Sequence, residues 1–371
     1  MTIYYILSFF ALALSTVCGF IFIPQILDFC KKRGLYDNPD KRKIHKNAIP
    51  RLGGVAFLPS MLVAFMIAIT VFNNTSIDRI SMNLWSIYFF VSLLLIYSVG
   101  IVDDLIGLNA TVKFTVQIIA SSLVPLAGLY FNNFYGFLGI YEIPYWIGIP
   151  LTVFVLVFIT NAINLIDGID GLSSGLAFLA LTGFYMIFMR EHLGLYGILI
   201  AGLMGVLIAY FYFNVFGKEE LNRKIFMGDA GSLTLGFFLG FLLVKFAMHN
   251  PNVMPFRIDA LFWPYTLLIV PVFDVTRMIL VRFKHHTAIF SADKNHIHHK
   301  LMRAGLNQHQ TLIFILLLAL VFCMINAIMY VVPIDSTIIA IVDIIIYIAF
   351  HLVLDRIIGN KGKESFVNVE E

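Results

Sequence analysis

Ile147-Gly-Ile-Pro-Leu-Thr-Val-Phe-Val-Leu-Val-Phe-Ile-Thr160 runs without a break into Asn161-Ala-Ile-Asn164-Leu-Ile-Asp167-Gly-Ile-Asp170-Gly171. The first part is apolar enough to lie in lipid; the second carries two carboxylates. A carboxylate at the centre of a bilayer is costly, so both belong at a segment end where water, a cation or a ligand reaches them. Asn161, Asn164, Asp167 and Asp170 recur every third residue, a slowly drifting stripe on a helix, while Gly168 and Gly171 let the backbone loosen or approach a ligand. Four oxygen-bearing side chains so placed suit a hard cation or the donors of a nucleotide. A polar helix end with two capping aspartates is the plainer alternative.

The rest of the chain has the same character. Of its 371 residues 60% are hydrophobic, with a mean hydropathy of +0.90, more apolar surface than a soluble domain of this size can hide. The expected class is an all-α, polytopic membrane protein forming a single domain over 1–371. Apolar runs of about 18 to 22 residues predict eleven membrane helices, near 3–23, 53–72, 84–102, 112–131, 147–166, 172–189, 195–216, 232–248, 260–281, 311–331 and 336–355. Pro125, Pro144 and Pro150 blur the ends of the fourth to sixth. The cysteines at 18, 30 and 323 indicate no disulfide framework. With no basic residue ahead of it, the first run reads as a retained helix rather than a signal peptide.

Lys and Arg set the orientation. Eight lie in the connection 24–52 and twelve more in or beside 103–111, 217–231, 282–310 and the tail 356–371, against only Arg79, Arg190 and Arg257 in the alternate set. The N-terminus is therefore expected outside and the C-terminus in the cytoplasm. On this topology Asp103-Asp104, Asp167 and Asp170, Gly228-Asp229-Ala-Gly231 and His296-Ile-His298-His299 all fall on the cytoplasmic side. The outward loops 132–146 and 249–259 carry no comparable cluster, which points to chemistry at one face rather than passage of a solute.

Each cluster has its own logic. Adjacent Asp103 and Asp104 point about 100° apart on a helix, so one can bind a metal while the other acts as a base or orients it; an ordinary helix stop is the alternative. Gly228-Asp229-Ala-Gly231 stands just ahead of a helix, where exposed N–H groups favour phosphate and Asp229 could hold Mg²⁺ against it, or serve simply as an N-cap. Mg²⁺ needs only one or two carboxylates plus substrate phosphates, so Asp229 with one of the other aspartates suffices. The basic loop with Arg282, His296, His298 and His299 lacks the separated second ligand pair of a structural zinc site. Donation to a diphosphate fits it better. The first loop, with His45 and Lys46, is suited either to anionic headgroups or to closure over a phosphorylated substrate.

The stretches DNPDKRKIHKNAIPRLGG (37–54), GIVDD (100–104) with Lys113 and Gln117, NAINLIDGIDGLSSG (161–175), FMGDAGSLTLGF (226–237) and SADKNHIHHKLMRAGL (291–306) together resemble the polyprenyl-phosphate N-acetylhexosamine-1-phosphate transferases, glycosyltransferase family 4 of bacterial type. That superfamily includes the phospho-N-acetylmuramoyl-pentapeptide transferases. The resemblance implies Mg²⁺-dependent transfer of a sugar 1-phosphate from a UDP-sugar to a membrane polyprenyl phosphate, with Mn²⁺ as a substitute metal and UMP released.

By motif, Asp103 or Asp104 would assist attack by the lipid phosphate, Asp229 would ligate Mg²⁺ with Asp103 or Asp167, and Asn164, Asp167 and Asp170 would sit at nucleotide and metal. Phe226 would stack on uracil, Arg282, His296, His298 and His299 would hold the diphosphate, and Lys113, with His45 and Lys46 as weaker carry-overs, would meet phosphate. His-Ile-His-His after Ala-Asp-Lys-Asn looks like the N-acetylglucosamine branch, which uses undecaprenyl phosphate and initiates O-antigen, common-antigen or teichoic-acid-type synthesis at the bacterial inner membrane. Lys294 stands where arginine is more usual, trading a bidentate fork for a point charge. Another UDP-N-acetylhexosamine or UDP-N-acetylmuramoyl-pentapeptide is the alternative donor. Attack by the acceptor directly is favoured over a covalent aspartyl intermediate.

No nucleic-acid partner is expected, and the chain would act alone or as a homodimer. An ion-coupled transporter is the competing class. Such proteins hold their sites near the midplane in broken helices, often with repeat symmetry, whereas these carboxylates sit at segment ends and the halves show no repeat. Asp274 and Lys245, the best candidates for midplane charge, are expected to pair within the bundle.

Overall fold

The computed structural model describes residues 1–37, 49–75, 83–218, 223–251, 254–286, 294–332, 334–364 and 367. It is helical almost throughout: α1 (Thr2–Arg33), α2 (Phe57–Thr75, entered by a 3-10 turn at Gly53–Ala56), α3 (Leu84–Ile106), α4 (Ala110–Leu126), α5 (Tyr145–Ile166), α6 (Leu172–Arg190), α7 (Gly194–Val215), α8 (Gly228–Ala247), α9 (Phe262–Leu267), α10 (Ile269–Lys284), α11 (Ile297–Arg303), α12 (Gln308–Val331) and α13 (Ser336–Asn360). The strands β1 (Tyr36–Asp37) and β2 (Ile49–Pro50) pair antiparallel.

Among the described residues nine helices are long and apolar enough to cross a membrane: α1, α2 with its leading turn, α3, α5, α6, α7, α8, α12 and α13. Two of the eleven expected spans are shorter. The one near 112–131 is the 17-residue α4, which gives way to a turn at Gly128, where φ is +87°. The one near 260–281 is divided between α9 and α10. Pro271 cannot donate to the carbonyl of Leu267 and its ring crowds that oxygen, so the ladder is interrupted at the division. In the other direction, α1 runs ten residues past its expected end, through Pro24, and stops at Gly34 in the left-handed conformation.

The centre is α8. Every residue from Ala230 to Ala247 is buried, as expected of a helix that is apolar all round. Small residues bring its neighbours close, because packing rather than the hydrophobic effect holds helices together in lipid. A Cβ on Gly100 of α3 would lie 2.5 Å from Cα of Ala230, and one on Gly236 would lie 2.6 Å from Cα of Thr160 in α5. On α1 the buried stripe Leu7, Ala11, Ser15, Gly19, Ile23 and Leu27 repeats every four residues and seats Gly19 on Val206 and Ala209 of α7. These contacts bring the end of α3, the end of α5 and the start of α8 to one place.

Candidate active site

Asp104 is 4% exposed in the last turn of α3. Its Oδ1 accepts the N–H of Asp229 at 2.8 Å and its Oδ2 that of Ala230 at 2.9 Å, so one carboxylate serves two of the free donors at the start of α8. Gly228, with φ +71°, makes the approach: a side chain there would collide with Asp104 and with the carbonyl of Arg51. Arg51 Nε in turn donates to the Asp104 carbonyl at 2.9 Å.

Asp229, thus fixed, faces three sequence-predicted residues. Lys113 Nζ donates to Asp229 Oδ2 at 2.8 Å and to Asp103 Oδ2 at 3.2 Å. Asn164 Nδ2 donates to Asp229 Oδ1 at 3.1 Å and to Ser232 Oγ at 2.8 Å. Asp103 Oδ1 accepts the N–H of Leu108 at 2.7 Å, which holds the turn between α3 and α4. The adjacent aspartates therefore have different surroundings: Asp104 is spent on backbone donors, while Asp103 faces Lys113 and Asp229.

Carboxylate oxygens of Asp103, Asp104 and Asp229 all lie within 4.8 Å of one another. An all-oxygen donor set of this span fits a small hard cation such as Mg²⁺ or Mn²⁺. The bridging ammonium of Lys113 shows independently that Asp103 and Asp229 attract positive charge to the space between them.

The α5–α6 connection forms the next wall. Asp167 Oδ1 accepts from the Ser173 hydroxyl at 2.6 Å. Burial pushes the Asp167 carboxyl up to about 7, with Asp170 and Asp229 pushing the same way and the Ser173 bond opposing. Asp170 pairs with Lys224 at 2.7 Å. Across from them, the loop end 50–54 is laced to the segment before α8: Phe226 N–H to Pro50 O at 2.7 Å, Gly53 N–H to Phe226 O at 2.9 Å and Gly54 N–H to Met227 O at 2.8 Å. This positions half-buried Phe226 beside the glycine start of α8.

The histidine segment closes onto the same connection. A Cβ on Gly168 would strike the His298 imidazole, so ring and backbone are in direct contact one residue from Asp167. His298 is 1% exposed and neither ring nitrogen has a hydrogen-bond partner among the described residues. Burial and the neighbouring His299 and His296 hold its pKa well below the ordinary histidine range. The His298 and His299 ring centroids lie 4.2 Å apart. His296 Nδ1 lies 2.7 Å from Oδ2 of Asp274, whose Oδ1 accepts from Ile297 N–H and Arg277, each at 3.0 Å. With Asp274 accepting, Nδ1 is the donor of this bond. Arg282 is buried, 5% exposed, in the last turn of α10. His45 and Lys46 lie outside the described residues.

Ser173, Ser232 and Arg277 were not singled out by the sequence. Asp274 gave a signal, a carboxylate within an apolar run that must find a partner. Lys245, the other such charge, lies 4.3 Å from the Trp85 ring centroid and 5.7 Å from that of Tyr196.

The family model of glycosyl transferase family 4 matches residues 84–247. A probable undecaprenyl-phosphate N-acetylglucosaminyl 1-phosphate transferase of Bacillus subtilis (strain 168) is 32% identical over 328 residues, 84% of this chain and 82% of its own. The chain belongs to glycosyl transferase family 4. Other family 4 relatives include an undecaprenyl-phosphate alpha-N-acetylglucosaminyl 1-phosphate transferase of Yersinia pestis, 29% identical over 80% of this chain and 77% of its own, and a decaprenyl-phosphate N-acetylglucosaminephosphotransferase of Mycobacterium tuberculosis, 30% identical over 76% and 72%. The matched family 4 region contains Asp103, Asp104, Lys113, Asn164, Asp167, Asp170 and Asp229.

Proposed function

We propose that this chain transfers N-acetylglucosamine 1-phosphate from UDP-N-acetylglucosamine to undecaprenyl phosphate, releasing UMP. The observation that carries the reading is the convergence of Asp103, Lys113, Asn164 and Asp229 at the start of α8 in a family 4 chain whose relatives are named undecaprenyl-phosphate N-acetylglucosaminyl 1-phosphate transferases. The reaction joins two anions, so it needs neutralisation and positioning more than covalent chemistry. An acceptor phosphate oxygen forms a bond to the phosphorus that bears the sugar, the bond from that phosphorus to the bridging oxygen breaks, and UMP leaves with the electron pair.

Asp103 and Asp229 would hold Mg²⁺, which when bound withdraws charge from the donor diphosphate. Lys113 lies close enough to the same oxygens to meet the acceptor phosphate as a point charge. His298 and His299 offer imidazole N–H groups to diphosphate oxygens, and His296, whose Nδ1–H is taken up by Asp274, orders the segment that carries them. Asn164, Asp167 and Asp170 border the nucleotide, and Phe226 offers a ring for uracil. With the N-terminus outside and C-terminus inside, as the Lys and Arg distribution supports, this end of the bundle faces the cytoplasm of a bacterial inner membrane, where UDP-sugars are found. The product suits the first membrane step of an envelope polysaccharide.

Detergent-purified protein incubated with undecaprenyl phosphate, Mg²⁺ and radiolabelled UDP-N-acetylglucosamine should move label into the organic phase, and EDTA should stop it. Label from the galacto epimer alone would change the sugar; label from neither would refute the reading.

A further inference from the structure

Helix α11 carries His298 and His299 and is seven residues long. Helices shorter than about 12–15 residues are marginal by themselves in water, so α11 stands where its surroundings hold it. Its leading end is tied to α10, through Asp274 with His296 and with the N–H of Ile297. Its body is tied to α13 by an ion pair between Lys300 and Asp355. Its trailing end is tied to the segment that follows α13.

That segment turns back at Gly362, where φ is +67°, and the N–H of Lys363 closes the turn on the carbonyl of Ile358 at 3.3 Å. Lys361 Nζ then donates to the carbonyl of Ala304 at 2.5 Å and Lys363 Nζ to that of Arg303 at 3.3 Å. Both carbonyls belong to the C-terminal end of α11, where free acceptors and the helix dipole favour cations. Farther on, Val367 and Asn295 exchange two bonds: Asn295 Nδ2 donates to Val367 O at 3.0 Å and Val367 N–H donates to Asn295 Oδ1 at 2.9 Å. Asn295 immediately precedes His296 and is 1% exposed. The segment after α13 thus grips the histidine stretch at both of its ends.

The grip has a consequence at the site. His298 touches Gly168 with no slack and, among the described residues, has no hydrogen bond of its own to hold it there, so its place is set by the backbone of α11. We infer that Lys361, Lys363 and Val367, after α13, strap the histidine segment in place and through it set the affinity for the donor diphosphate. This rests on the histidines serving the donor as proposed above. Lys361, Lys363 and Asn295 are positioning residues; none is assigned a contact with substrate.

The test compares the full chain with a chain ending at Asn360 and with Asn295→Ala. In both variants, amide hydrogen exchange across 297–304 should accelerate about tenfold or more, the scale of one or two net hydrogen bonds, while 230–247 keeps its protection. Unchanged exchange across 297–304 overturns the strap whatever the substrate. In initial-rate assays the KM for UDP-N-acetylglucosamine should rise about tenfold at unchanged kcat and unchanged KM for undecaprenyl phosphate. An unchanged donor KM, or donor and acceptor KM rising together, overturns the positioning role. A full-length protein that forms no lipid-linked product would refute the proposed reaction, and the exchange experiment would still decide the strap.

Discussion

Asp104 caps the helix that carries Asp229: it takes the N–H of Asp229 at 2.8 Å on one oxygen and that of Ala230 at 2.9 Å on the other. A carboxylate buried in this way holds its neighbour in place, whereas Asp229 itself points to Lys113 and Asn164, toward the space where a donor phosphate and metal would meet. The two aspartates should therefore fail differently when altered.

Asp104→Asn puts an amide nitrogen where an oxygen accepted, leaving one buried N–H unpaired at a cost of about 1–3 kcal/mol. Thermal unfolding in detergent should shift down measurably, and turnover should fall as Asp229 loses its fix. Asp229→Asn should reduce turnover by at least about 100-fold, the scale of losing one charge-organising group, with unfolding little changed. Equal loss of stability in the two variants, or wild-type turnover with Asn at 229, would remove this division of roles.

The pH response of Asp167 follows from its burial. Its carboxyl is pushed up to about 7 in the folded protein from an ordinary value of 3.8. A raised folded value means the stabilising contribution of the protonated form is full below pH 3.8 and is lost as pH rises through about 7. Asp167→Asn removes the ionisation yet keeps an oxygen for the Ser173 hydroxyl. In EDTA-treated protein, the variant should melt with the wild type at low pH and above it at pH 8, by roughly 2–4 °C for each kcal/mol recovered. Parallel melting curves from pH 5 to pH 8 would show that Asp167 ionises freely in the fold.

Much of this was legible in the sequence because lipid leaves few choices. Apolar runs of about 20 residues must be helices, and carboxylates at their ends must gather on a wet face. The two spans that differ do so for local reasons, Pro271 within one and the turn at Gly128 after the other. Partnerships were less legible. Asp103 and Asp104 are adjacent and chemically identical, and what separates their roles is the docking of α8 from 125 residues away. Asp274 announced itself as a buried charge, but that it orients His296 depends on α11 folding back onto α10. The tail's hold on Asn295 has no sequence pattern at all, since any residue can supply the backbone groups of Val367.

Gly168→Ala tests the meeting of the two halves of the site. The φ of Gly168 lies outside the left-handed region, so alanine brings no backbone penalty; its Cβ would instead meet the His298 ring. Either the ring or the α5–α6 connection must give, and His298, with no hydrogen bond to hold it among the described residues, is the softer of the two. The KM for UDP-N-acetylglucosamine should rise about tenfold, as for the loss of one charge-assisted hydrogen bond, while the KM for undecaprenyl phosphate stays put. Gly202→Ala is the control, because its Cβ finds ordinary contact with the Met61 carbonyl oxygen at 3.4 Å. If Gly168→Ala also leaves donor KM unchanged, the packing of His298 on the α5–α6 connection does not govern donor binding, and the histidines meet the diphosphate from a position that tolerates their displacement.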